Sequence, residues 1–256
     1  MSARKKLVIG NWKMNPKTLI EAKRIFTTFK KTKRDDKSVT VVFCPPFPFI
    51  NELYKSYTGN KIFFGAQDAY WKEEGSFTGE VSYKMLQSVG ARFVIIGHSE
   101  RRSMGENDAL VAQKLSTALM SGMHAVLCVG EPTRDINGKY LQILKEQVLS
   151  ALGDLDIKLM KNLIIAYEPV WAIGEGKSAI DTHDLSQTIL FIKKQIIEKH
   201  GRKIGDSISV IYGGSVDSDN AFGLMKDGGV DGFLVGRNSL NAFEFAKIIS
   251  ETARKN

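Results

Sequence analysis

Polar side chains capable of acid–base chemistry close several short apolar runs of this chain. Asn11 and Lys13 end the run LVIGNW, His98 ends RFVIIGH and is followed by Ser99 and Glu100, and Glu168 ends LIIAYE. Two further runs end in glycine-rich turns, GGS at 213–215 and GRN at 236–238. A carboxylate can take a proton, an imidazole can polarise a carbonyl, and a lysine can hold developing negative charge. Bare glycine amides, with Ser215 beside them, can bind a dianion without a metal. Each residue alone has a plainer reading. Glu168 could be half of an ion pair in a chain with 36 Lys and Arg, His98 a structural histidine, Lys13 a surface lysine and the glycines tight turns. Their shared placement at the ends of apolar runs points instead to one acid–base, phosphate-binding rim.

The stretch AYEPVWAIGEGKSAID, Ala166 to Asp181, contains two fragments of nucleotide-binding motifs. Gly174, Gly176 and Ala179 fit GxGxxA, and GKS at 176–178 resembles the end of a phosphate-binding P-loop. The P-loop needs a glycine five residues before its GK, where Trp171 stands. A dinucleotide fingerprint should start as its strand ends, whereas Pro169 and four more residues separate Glu168 from Gly174. Both nucleotide readings fail. The segment is long for a strand-to-helix connection, as lids and binding loops are.

These residues need a scaffold, and the chain supplies it by alternation. Eight apolar runs, near residues 7–12, 39–44, 61–67, 92–98, 124–131, 163–168, 207–214 and 231–237, are each followed by a segment of helical periodicity. Near-continuous apolarity fits strands buried on both faces of a parallel sheet. Eight such units predict an α/β fold, a closed (β/α)8 barrel forming a single domain over 1–256, with an open doubly wound sheet as the alternative. In such a barrel the chemistry lies at the C-terminal strand ends, where the polar residues fall. Asn15 and Pro16 are expected to cap and open the first helix, and Asp181 and Gly201 to bound the helix after strand 6.

With 256 residues, 43% of them hydrophobic, the chain can bury a large core. No run approaches the roughly 18 apolar residues of a membrane span, and the start MSARKKLVIGNW carries no cleavage-type segment, so the expected location is cytoplasmic. Cys44 and Cys128 sit in apolar runs without metal-binding spacing and are expected to be buried thiols. The formal charge of +8 is concentrated in KRIFTTFKKTKR, residues 23–34. Ile25, Phe26 and Phe29 interleave with the cations, so this reads as the solvent face of a packed helix, not a nucleic-acid surface.

With these residues assembled, the chain resembles the triosephosphate isomerase family over nearly its whole length. The matching motifs are GNWKMN (10–15), GAQD (65–68), FTGE (77–80), GHSERR (97–102), CVGE (128–131), AYEPVWAIG (166–174), YGGSV (212–216) and GFLVG (232–236). The resemblance implies a TIM barrel that interconverts dihydroxyacetone phosphate and D-glyceraldehyde 3-phosphate in glycolysis and gluconeogenesis, with no metal and no organic cofactor. It implies Glu168 as the base, His98 as a neutral electrophile, Lys13 as the group stabilising the enediolate, and Asn11 as a hydrogen-bond donor. It places Gly174, Ser215, Gly236 and Arg237 around the phosphate together with Asn11 and Lys13, and makes Ser99, Glu100 and Tyr212 supporting groups. It further implies a homodimer in which the loop at Phe77, Thr78 and Gly79 reaches the neighbouring subunit's site, with no nucleic-acid or membrane partner.

The chain departs from the family pattern in places. Arg237 stands where a second glycine usually follows LVG, the lid reads GEGKSA where GTGKTA is common, and Asp68 replaces a usual asparagine. The stretch after GHSERR is about one residue shorter than the common form. Glu175, at the lid tip, is expected to face solvent when the lid is closed, because a dianion lies beneath. Another phosphate-binding barrel, a sugar-phosphate isomerase or lyase, would keep the glycine turns without the full Asn11, Lys13, His98 and Glu168 set. A basic nucleic-acid module would leave those cleft residues unexplained.

Overall fold

Strands that lie between a filled interior and a ring of helices have no polar face. In the computed structural model, which describes residues 6–153, 155–174, 176 and 178–254, the eight apolar runs close into one parallel barrel. The strands are β1 (Lys6–Asn11), β2 (Val39–Cys44), β3 (Ile62–Ala66), β4 (Ala91–Ile96), β5 (His124–Val129), β6 (Leu163–Tyr167), β7 (Ser209–Tyr212) and β8 (Gly232–Val235). They are hydrogen-bonded in chain order, and β1 pairs with β8 from Leu7↔Gly232 to Gly10↔Val235. Closure leaves no free sheet edge, and the open-sheet alternative is excluded.

The helices outside the barrel are α1 (Leu19–Lys31), α2 (Phe47–Lys55), α3 (Tyr83–Ser88), α4 (Ser99–Ser103), α5 (Asp108–Met120), α6 (Lys139–Leu152), α7 (Thr182–His200), α8 (Arg202–Gly205), α9 (Ala221–Asp227) and α10 (Ala242–Ala253). Two short helices thus supplement the alternation: α8 extends the turn after α7, and α4 follows β4 directly. The basic helix α1 buries Ala22, Phe26 and Phe29 and sets Phe26 and Phe29 edge-on to Phe43 at 5.3 and 4.8 Å. Its cations line the remaining face, with the Lys30 ammonium 5.1 Å over the Phe26 ring.

The expected start of α1 needs correction. Asn15 and Pro16 precede the helix, and Thr18 is its N-cap, accepting a hydrogen bond from the Glu21 amide at 3.2 Å. The stretch Thr18-Leu19-Ile20-Glu21 has the capping-box sequence, and its Thr18 hydroxyl takes one end donor of the helix, the role expected of Asn15. At α7 the expectation holds: Asp181 accepts from the His183 amide, and Gly201, at φ 82°, ends the helix. The region near 218 begins as a turn, because the Asp217 side chain accepts the amides of Asp219 and Asn220, and α9 starts only at Ala221.

Two packed layers follow from period-two alternation along each strand. Leu7, Ile9, Val42, Cys44, Val126, Cys128, Ile164 and Ala166 belong to the barrel-interior cluster, while their neighbours in sequence pack outward against helices. Both cysteines are free and buried. Continuing the interior alternation past the strand ends predicts which side chains crown the barrel. After Ile9 comes Asn11, after Phe63 and Gly65 comes Gln67, after Ala166 comes Glu168, and after Ile211 and Leu234 come Gly213 and Gly236. The sheet itself therefore aims these positions at the top of the barrel. No helix among the described residues is long and apolar enough to cross a membrane.

Candidate active site

At that end of the barrel lies a cleft of about 490 Å³ lined by Asn11, Lys13, His98, Glu100 and Glu168 on one side. Gly174, Ser215, Gly236 and Arg237 line the same cleft. Asn11, His98 and Glu168 are only 4, 5 and 2% exposed, so they have been drawn out of water for a purpose other than solubility.

Lys13 is held by its backbone as much as by its charge. It adopts φ 52°, a left-handed conformation costly for a lysine, and several contacts over-determine it. Its amide donates to Asn11 Oδ1 at 3.0 Å, leaving the Asn11 amide nitrogen as the donor that side chain can offer the cleft. Gln67 Nε2 donates to the Lys13 carbonyl and to the Cys44 carbonyl, each at 2.8 Å. Trp12 Nε1 donates to the Ser239 carbonyl at 3.2 Å, tying the same loop to the turn after β8. The Lys13 ammonium pairs with Glu100 Oε1 at 2.6 Å, and its chain passes so close to Gly236 that a Cβ there would lie 3.5 Å from Lys13 Cε.

His98 is the N-cap of α4, and its Nδ1 accepts the Glu100 amide at 3.2 Å. A nitrogen that accepts carries no proton, so the proton sits on Nε2, which faces Glu168 Oε1 at 3.1 Å. The other Glu168 oxygen accepts the Ser99 amide at 3.3 Å. Ser99 thus contributes through its backbone. Burial acts to raise the Glu168 pKa, but contact with His98, the Cys128 thiol and the Ser99 amide outweighs it and leaves the pKa lowered. Burial acts to lower the His98 pKa, and the Glu168 charge and hydrogen bond reverse that, with Glu100 adding to the rise. Both net shifts therefore have the same main source, the His98–Glu168 contact.

Glu168 has little room around it, and glycine provides what there is. A Cβ at Gly213 would come within 2.8 Å of Glu168 Cγ, and one at Gly130 would run into the Glu168 carbonyl. Gly130 cannot yield, because Gln147 grips its amide at 2.8 Å and its carbonyl at 3.2 Å. Gly130→Ala is therefore expected to destabilise the protein by about 1–3 kcal/mol through overpacking, read as a lower denaturant midpoint. An unchanged midpoint would show that β5 and β6 separate easily at this end.

The segment after Glu168 is anchored at both ends. Tyr167 and Trp171 both donate to Oε1 of the fully buried Glu131, each at 2.9 Å. Ser215 Oγ donates to the Ala172 carbonyl at 2.9 Å. At the far end the Ile180 amide donates to the Tyr212 hydroxyl at 3.2 Å, and burial pushes the Tyr212 pKa up to about 12, so the phenol stays protonated as a fixed post. Glu175 and Lys177 lie outside the described residues, so the expected solvent-facing Glu175 does too. On the opposite wall Asn238 Nδ2 donates to the Val216 carbonyl at 2.6 Å, joining the two glycine turns, and Ser239 Oγ donates to the Gly236 carbonyl at 2.6 Å within the second of them. Arg237 is exposed at the rim.

Phe77, Thr78 and Gly79 are not brought to this cleft. Their loop is exposed, with the Phe77 ring 4.6 Å from that of Tyr70. Gln67 and Glu131 have no role in the sequence reading, yet each anchors a loop of the site. The signal for Gln67 was the interior alternation of β3, and for Glu131 a charged residue closing the apolar run HAVLCVGE. Among the described residues no three His, Cys, Asp or Glu side chains converge as metal ligands would.

A family model described as triosephosphate isomerase matches residues 6–252. A protein named triosephosphate isomerase from Carboxydothermus hydrogenoformans is 40% identical over 248 residues, covering 96% of this chain and 98% of the relative. Relatives of the same name from Moorella thermoacetica and Thermoanaerobacter are 41 and 39% identical, each over 249 residues and 96% of this chain, covering 98 and 99% of themselves.

Proposed function

Because the chain belongs to the triosephosphate isomerase family, and so catalyses the reversible interconversion of dihydroxyacetone phosphate and D-glyceraldehyde 3-phosphate, we propose that Glu168, His98, Lys13 and Asn11 carry that reaction. The observation that supports this most is the joint burial of Glu168 and His98, in contact at 3.1 Å, within a cleft whose other wall is glycine-rich. A glutamate base working with a neutral histidine is the established pairing of this enzyme family, and it is carried over here onto Glu168 and His98.

The geometry suits each step. A hydrogen beside a carbonyl is weakly acidic, and its removal needs a base in reach and a stabilised oxyanion. Glu168 leaves the Ser99 amide and the His98 ring and takes the proton from one substrate carbon. The bonding electrons move to the carbonyl oxygen, which His98 Nε2–H and the Lys13 ammonium stabilise as the enediolate forms. His98 gives its Nε2 proton to that oxygen and takes the proton of the neighbouring hydroxyl, whose oxygen becomes the new carbonyl as Glu168 returns its proton to the first carbonyl carbon, leaving both side chains as they began. Once Glu168 has moved, the main influence raising the His98 pKa is gone. Burial and Lys13 then hold the imidazole neutral against the Glu100 carboxylate alone. Glu100 keeps Lys13 at the cleft, the Ser99 amide stores Glu168 between turnovers, and Tyr212 fixes the far end of the lid.

Gly174, Ser215, Gly236 and Arg237 surround the phosphate with Asn11 and Lys13. Arg237 offers its amide, with its side chain adding positive charge at the rim. Residues 169–180 form the lid that excludes water. The chain acts as one domain in the cytoplasm, in glycolysis and gluconeogenesis, as a homodimer. The protruding loop of Phe77, Thr78 and Gly79, idle at its own cleft, enters the partner's.

A coupled assay of purified protein on both triose phosphates tests the activity, with turnover expected in both directions and no added metal. Inactivity on both would count against the assignment. Light scattering is expected to give twice the chain mass, and a monomer with full activity would remove the role given to the 77–79 loop.

A further inference from the structure

Asp68 takes no part in the chemistry described above, yet it lies at the centre of a four-charge network in which it, Glu106 and Lys114 are buried and Arg101 is part-exposed. Its two oxygens each accept from Lys114 Nζ at 2.8 Å, and Oδ2 meets Arg101 Nη2 at 3.0 Å. Glu106 completes the square, accepting from Arg101 Nε at 2.7 Å and from Lys114 at 2.5 Å. Lys114 is 2% exposed, Asp68 7% and Glu106 8%. Buried ion pairs bring little net stability, because desolvation offsets their attraction. Such a network is better explained by what it holds in place.

What it holds is α4. Arg101 belongs to that five-residue helix, whose N-cap is His98, whose first amide stores Glu168, and whose Glu100 binds Lys13. A helix this short has little stability of its own. The residue before Asp68 is Gln67, which grips the Lys13 and Cys44 carbonyls. One dipeptide thus reaches both catalytic loops, Gln67 toward Lys13 and Asp68 toward the helix that orients His98.

We propose that Asp68 is a positioning residue for the isomerase reaction, acting through Arg101 to fix α4 and so the placement of His98 relative to Lys13. This rests on the family reading of the site. Glu106 alone cannot do the same work, since it meets Arg101 only at Nε, and the Nη2 edge of the guanidinium fork would be left to swing.

Asp68→Ala removes both oxygens and with them the hold on Arg101 Nη2, whereas asparagine, the usual family residue here, would keep an oxygen able to accept from that edge, so alanine is the test. Burial raises the Asp68 pKa against the pull of Lys114, so the comparison belongs at neutral to mildly alkaline pH. Displacement of a catalytic group by a fraction of an ångström to 1 Å costs about ten- to hundredfold in rate. The folded variant is expected to lose about tenfold or more in kcat with KM changed less than twofold. The 15N resonances of His98 are expected to move, because the Nδ1 contact with the Glu100 amide is disturbed. A folded Asp68→Ala protein with wild-type kcat, or with reduced kcat and unmoved His98 resonances, would overturn the proposal. Should that variant not fold, Arg101→Lys retains the charge but loses the fork, and the same two readouts apply with the same consequences. If the wild-type protein fails to isomerise triose phosphates, the family reading fails on its own, and the His98 resonances still decide whether Asp68 positions that ring.

Discussion

Glu168→Gln is expected to lower kcat by about 10²–10⁴-fold, the span that a positioned general base supplies. The amide has the size and hydrogen-bonding outline of the carboxylate but cannot take up a proton, so the loss isolates the chemistry. KM should change little, because the glycine-lined wall proposed to hold the phosphate lies elsewhere in the cleft. Glu168→Asp keeps the charge and shortens the side chain by one methylene, and a misplacement of that size costs about 10²-fold. The order wild type, aspartate, glutamine therefore separates distance from proton affinity. A Glu168→Gln enzyme within tenfold of wild type would remove Glu168 from the role of base.

The same substitution has a signature in stability against pH. The folded-state pKa of Glu168 is lowered, so its contribution to stability is present above its unfolded pKa, about 4.3, and is lost as pH falls through the folded value. His98 has the opposite sign. Its raised pKa contributes stability below its unfolded value, about 6.5, which is lost as pH rises through the folded one. Both shifts come mainly from one contact, so Glu168→Gln should flatten both dependences together in urea melts taken across pH. In the wild type the acid limb of kcat/KM should fall below the ordinary glutamate range, because that profile reports the free enzyme.

How much of this was legible in the chain depended on how far each partner lay in sequence. The barrel could be read because burial on both strand faces leaves an unbroken apolar run, a signal local to six or seven residues. The polar rim could be read because Asn11, His98 and Glu168 directly end such runs. What escaped depends on contacts across the fold: Tyr167 and Trp171 reach Glu131 from 36 and 40 residues away, and Lys114 reaches Asp68 over 46. No local pattern marks those pairs. The cap of α1 was missed for a different reason, since Asn15-Pro16 is a strong start signal and the capping-box sequence begins three residues later.

Lys13→Met tests the other half of the mechanism, the stabilisation of charge. Methionine preserves length and apolar bulk, so the side chain can still pass beside Gly236, and only the ammonium is lost. Removal of one preorganised oxyanion partner costs about 10²–10³-fold in kcat. Here a further loss is expected in KM, because the same cation draws the substrate dianion toward the cleft. Two observations argue that the variant will fold. The unusual φ of 52° is fixed by backbone contacts from Asn11 and Gln67 that do not involve the ammonium. Glu100, left without its partner, is 55% exposed and can be solvated. The electrostatic part can be separated by ionic strength. Wild-type kcat/KM should fall as salt screens attraction between cleft and dianion, and the Lys13→Met enzyme should fall less steeply. Lys13→Arg keeps the charge but spreads it over a planar fork at a site shaped for a compact ammonium. It should recover salt dependence and substrate binding while leaving kcat low. If Lys13→Met retained wild-type kcat with only KM raised, Lys13 would be a binding residue, and the enediolate charge would rest on His98 and Asn11 alone.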